Sequence, residues 1–229
     1  MRWYLSTRAR LGCALLAASV VSCVLFLVGA WSNHSWAFAD LLYNLFLAWV
    51  PLGLTIWLTR ILQRRLWSHW QSLGVTLLWL CFLPNSFYML TDFIHLQDYS
   101  RVDQIFDLIM FSSFILNAFV LGLISVYVVH AQLRWRMRDR NSTITLAGLL
   151  LATSFAIYIG RDLRWSTWDI LFNPASLLFD ISDRLLHPFS HPEMFTTTLG
   201  FFALIASIYA VAWYALRLVR QQKSMTVKQ

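Results

Sequence analysis

Six apolar stretches, each of roughly 20 residues or more, restrict this chain to one class of architecture. They run over approximately 12–31, 36–59, 70–91, 104–130, 142–161 and 195–217. As an α-helix, each crosses about 30 Å of hydrocarbon. No hydrophilic interval is long enough for a separate soluble domain, so the expectation is one all-α integral membrane domain over residues 1–229. A hydrophobic content of 59%, with 13% charged residues and a mean hydropathy of +0.59, agrees with that class.

The charges orient the spans. Basic residues gather at Arg2, Arg8 and Arg10, at Arg60, Arg64 and Arg65, at Arg134, Arg136, Arg138 and Arg140, and at Arg217, Arg220, Lys223 and Lys228. These are fourteen of the eighteen Lys and Arg, and all lie at the termini or in alternate connections. The positive-inside rule then puts both termini and those two loops in the cytoplasm, and the expected location is the plasma (inner) membrane. Ten of the eleven acidic residues fall on the outer side, Asp139 being the exception. With this placement the pI of 9.7 gives no reason to expect nucleic-acid binding, and membrane lipids are the expected partners. Cys13, Cys23 and Cys81 all lie in apolar segments, so no disulfide framework is implied. The first segment has a small-residue end at Val28-Gly29-Ala30, but its apolar run exceeds the about 7–15 residues of a signal peptide and reads as a retained helix.

The third segment carries most of the unusual polarity. Residues 77–98, LLWLCFLPNSFYMLTDFIHLQD, hold Pro84 and Asn85 within the apolar run and end in Tyr88, Thr91, Asp92 and His95. On a helix, Asn85, Tyr88, Asp92 and His95 fall within an arc of roughly 80°. Lipid does not tolerate such a stripe, so it is expected to face protein or a water-filled cavity. Pro84 removes a backbone donor and should kink the helix. A plainer reading is a packing helix whose polar end reaches water, with Asn85 the residue hardest to explain that way.

Other polar positions cluster at the same expected level. Asp40 and Asn44 share a face of the second helix, either joining that stripe or anchoring the helix end. Asp103 and Asp107 open the fourth segment, and Asn117 lies deeper in it. Ser154, Tyr158, Arg161, Trp165, Trp168 and Asp169 fall within about 100° if the fifth helix continues that far. A buried Arg161 there requires a carboxylate or an anionic ligand. Asn173-Pro174 signals a helix start, with Leu177, Leu178, Ile181 and Leu185 on one face against Asp180, Asp183 and Arg184. This reads as a short amphipathic helix on the outer leaflet. His187 and His191 are interrupted by Pro188 and Pro192, which argues against helical metal-ligand spacing, and neither metal nor cofactor is expected. Small residues at Ala14, Ala18 and Ser22, and at Ala203, Ser207 and Ala210, mark expected helix contacts.

Four segments together resemble a known family: NLFLAWVPL at 44–52, LWLCFLPNSFYMLTDFIHL at 78–96, FDLIM at 106–110 and IYIGRDLRWSTWDILFNP at 157–174. The chain is similar over most of its length to the bacterial domain-of-unknown-function family numbered thirteen sixty-one. The resemblance implies a multi-pass bacterial membrane protein and supplies no reaction. It singles out Pro84, Asn85, Tyr88, Thr91, Asp92 and His95, with Gly160, Arg161, Arg164, Trp165, Trp168 and Asp169. Where family members more often read Asn-Ala-Pro-Tyr, this chain has Asn85-Ser86-Phe87-Tyr88, which softens the expected kink.

No HExxH, GxSxG, P-loop or dinucleotide fingerprint occurs. The leading expectation is an outward-facing site for an anionic amphiphile or lipid-linked substrate. Asn85, Tyr88, Asp107, Arg161, Arg164, Trp165, Trp168 and Asp169 are its candidate binding residues, and His95 or Asp92 the candidate general base. The alternatives are a transporter or channel for a small polar solute or ion, along Asn85, Asn117 and Asp107, and a structural role in which the polar residues only lock helices together. Neither an enzymatic activity nor an oligomeric state follows from the sequence.

Overall fold

Backbone amides have no water to bond in hydrocarbon, so apolar runs of this length satisfy them internally as helices. The computed structural model describes residues 2–34, 36, 38–91, 104–162, 165, 172–187 and 190–226. Among these are α1 (Arg2–Asn33), α2 (Asp40–Leu62), α3 (Trp70–Tyr88), α4 (Gln104–Arg136), α5 (Asp139–Asp162), α6 (Pro174–Leu186) and α7 (Pro192–Thr226), with no strand. Six are long and apolar enough to cross a membrane: Ala9–Ser32, Asp40–Leu62, Trp70–Thr91, Ile105–Arg136, Asp139–Arg161 and Pro192–Val219.

The ends differ from the sequence expectation for local reasons. The second helix starts at Asp40 rather than at 36, after a turn closed by Ala39 N–H on Trp36 C=O at 3.1 Å, and the Asp40 carboxylate suits the positive helix start. The fourth continues past 130 to Arg136, because long basic side chains keep an apolar stem along the helix while the charge reaches water. At the start of α3 the His69 ring accepts the Gln71 amide at 3.3 Å, a cap with no signal in the apolar pattern. Pro51 and Pro84 sit inside uninterrupted helices. Pro174 opens α6 as expected, yet the Asn173 side chain makes no capping bond.

Two compact units divide the chain, Met1–Ser125 and Val126–Gln229, with the boundary inside α4. In the first unit, α2 and α3 pack closely. A core of Phe26, Leu45, Ala48, Met89, Phe111, Phe114, Ala118 and Leu121 joins α1, α2, the end of α3 and α4. Close approach is set by glycine, because a Cβ on Gly122 would stand 2.8 Å from Ser86 Cβ and 2.9 Å from Phe87 Cζ. Trp79 is fully buried and donates its indole N–H to Ser125 Oγ at 2.6 Å, while Ser86 Oγ donates to Ala48 C=O at 3.3 Å. In the second unit α5 packs against α7, and Tyr158, Ile159, Leu177 and Met194 form a core where α6 meets both.

Of the expected small-residue contacts on α1 and α7, only Ser22 is buried. Ala14 and Ala18 are exposed, and beside Ser22 the helix α1 buries Leu15, Phe26, Gly29 and Ala30. Ala203, Ser207 and Ala210 on α7 are exposed too, and that helix turns Met194, Thr198, Ile205 and Tyr209 inward. A small side chain permits close approach, but the shape of the opposing helix decides where it happens.

Candidate functional site

The first unit holds the polar end of α3. Asn85 and Tyr88 are half-buried. Asn85 Nδ2 donates to Phe82 C=O at 3.1 Å, and Thr91 Oγ1 donates to Tyr88 C=O at 2.8 Å. Asp107 is buried in the first turn of α4. About 15 Å further along the helix, Asn117 is buried as well. Asn117 Nδ2 donates to Ser19 Oγ at 2.9 Å, and that hydroxyl also accepts the Trp49 indole N–H at 3.0 Å. Ser19 Oγ in turn donates to Leu15 C=O at 3.0 Å. One hydroxyl thus joins α1, α2 and α4, and the buried Asn117 Oδ1 has no partner among the described residues.

The second unit holds the end of α5 and the helix fastened to it. Tyr158 is buried and Arg161, one turn on, is exposed. Trp165 lies outside the helix and so does not continue its face. Trp165 instead donates its indole N–H to Asp180 Oδ2 on α6 at 2.9 Å. Arg184 Nε donates to the Tyr158 hydroxyl at 3.3 Å, and its Nη1 donates to Asp180 C=O at 3.0 Å. Leu177 is buried beneath these bonds, whereas Leu178, Phe179 and Leu186 are 61%, 73% and 75% exposed. At the end of α6 the Asp183 carboxylate stands 3.1 Å from His187 and 3.5 Å from His191.

Of the sequence-derived site residues, Trp165 is linked through α6 to Tyr158, which the sequence placed on the same arc, and Arg161 stands exposed one turn beyond Tyr158. Asp92, His95, Arg164, Trp168 and Asp169 lie outside the described residues. Asn85, Tyr88 and Asp107 belong to the first unit and Arg161 and Trp165 to the second. No group of three or more metal-binding side chains occurs among the described residues.

A further cluster in the second unit escaped the sequence reading. His130 is 4% exposed, and its Nδ1 lies 2.7 Å from the Tyr209 hydroxyl. Its ring centroid is 4.4 Å from that of Trp213, and Arg134 and Arg217 lie 5.1 and 5.3 Å from the same indole. Arg134 makes a two-pronged bond to Asp139 at 2.7–2.9 Å. The signal was present as steps of four, His130 to Arg134 on α4 and Tyr209, Trp213, Arg217 on α7, which align side chains along one helix face.

Six helices of this length and composition, with buried polar groups bonded between them, define a multi-pass membrane protein. Residues 43–208 match the family described as Protein of unknown function (DUF1361), and the chain belongs to it. No curated protein and no solved structure matches the chain.

Proposed function

We propose that the protein binds an amphiphile with an anionic headgroup at the end of α5, beneath and beside α6, on the outer side of the plasma membrane. The fastening of α6 carries this reading. Two side-chain bonds, Trp165 to Asp180 and Arg184 to Tyr158, together with buried Leu177, hold a short helix against the end of a span. Leu178, Phe179 and Leu186 are then left for acyl chains, and the exposed Arg161 guanidinium for the headgroup. The orientation rests on the positive-inside rule, since the basic connections lie at the opposite span ends.

Titration of the detergent-solubilised protein with lysophosphatidic acid and with lysophosphatidylcholine tests the reading. Saturable binding of the anionic lipid is expected, with at least tenfold weaker binding in Arg161→Ala at an unchanged melting temperature, as befits loss of a charge-assisted bond. Retained affinity in that variant contradicts the reading.

A further inference from the structure

Arg134, Trp213 and Arg217 carry an inference about the other end of the second unit. Two guanidinium groups lie within 5.3 Å of one indole centroid. Among the described residues one carboxylate answers them: Asp139 takes Nε and Nη2 of Arg134, leaving Nη1 with both of its hydrogens. Among the described residues no ion pair involves Arg217. The pair therefore has an excess positive charge and a set of uncommitted planar donors, the combination that takes a phosphate through two parallel bonds.

The depth of the cluster selects the kind of phosphate. The apolar span of α4 ends at Arg136 and that of α7 at Val219. Arg134 and Arg217 thus each lie two residues from the end of a candidate span. Basic residues at span ends are the ones that meet lipid headgroup phosphates. The indole between them is braced by His130, by Tyr127 at 5.4 Å and by Tyr209 at 6.2 Å, so the platform is fixed before a ligand arrives.

We propose that Arg217, with Nη1 of Arg134, forms a discrete site for the phosphodiester of an anionic phospholipid whose headgroup adds no positive charge. It is separate from the Arg161 site and does not depend on that reading.

Delipidated protein is titrated with phosphatidylglycerol, with phosphatidylcholine and with inorganic phosphate, and bound species are counted by native mass spectrometry. One phosphatidylglycerol is expected to bind about tenfold more tightly than phosphatidylcholine, and Arg217→Gln to weaken it about tenfold. The control Arg65→Gln removes the same charge from an exposed residue of another connection and is expected to leave that affinity unchanged. Should Arg217→Gln not fold, Arg217→Lys is measured instead, with about threefold weaker binding expected because an ammonium lacks the planar fork. Equal losses in the Arg65 and Arg217 variants, equal affinity for the two lipids, wild-type affinity in the substituted Lys variant, or displacement of the lipid by inorganic phosphate at comparable concentration each overturn the proposal.

Discussion

Gly122 has a hydrogen for a side chain because α3 leaves space for nothing larger. In lipid there is little hydrophobic force between helices, so tight van der Waals contact at such points is a main source of association. Gly122→Ala would drive a methyl group to 2.8 Å from Ser86 Cβ and 2.9 Å from an atom of the buried Phe87 ring. The expected cost is about 1–3 kcal/mol, read as a lower midpoint in denaturant titration of the purified protein. Gly148→Ala is the matched control, since nothing lies within 4 Å of its added Cβ. It should stabilise its helix by up to about 1 kcal/mol. Equal behaviour of the two variants would show that the close approach at Gly122 is absent. Neither role is legible in the sequence, where both glycines interrupt apolar runs alike. The difference lies in the opposing helix, and no local pattern encodes that.

At the scale of elements, the spans were legible and their connections much less so. Apolar length gave all six membrane-length helices, because hydrocarbon thickness and backbone satisfaction leave few choices. The Asn173-Pro174 signal likewise located the start of α6. Trp165 shares the face of α5 only if the helix continues that far, and Trp165 lies outside the helix. Its partner Asp180 is on the next helix, across a separation that periodicity cannot bridge. Ser19 gives a similar lesson, since its hydroxyl serves α1, α2 and α4 together. Ser19→Ala would leave the Trp49 and Asn117 donors without their acceptor, a loss of about 1–3 kcal/mol in the same denaturant titration. Ser207→Ala, at an exposed hydroxyl bonded only to Leu204 of its own helix, should change stability by less than about 0.5 kcal/mol. A Ser19→Ala variant as stable as the wild type would show that the knot does not hold these helices.

For the molecule as a whole, charge placement separates two chemically different ends. Basic residues crowd the connection between α4 and α5 and the end of α7, where Arg134 and Arg217 share the Trp213 ring. Among the described residues the end of α5 has instead one exposed guanidinium, Arg161, while Asp180 and Arg184 of α6 are bonded to Trp165 and Tyr158. The proposed amphiphile site rests on that exposed arginine together with the exposed Leu178, Phe179 and Leu186 of α6. Native mass spectrometry of the protein released from nanodiscs made of its host's lipids tests this most directly, with Arg161→Ala alongside the wild type. A discrete anionic amphiphile on the wild type and its loss from an equally stable variant is the expected result. The same set of adducts on both proteins, or a variant that loses only stability, would contradict it.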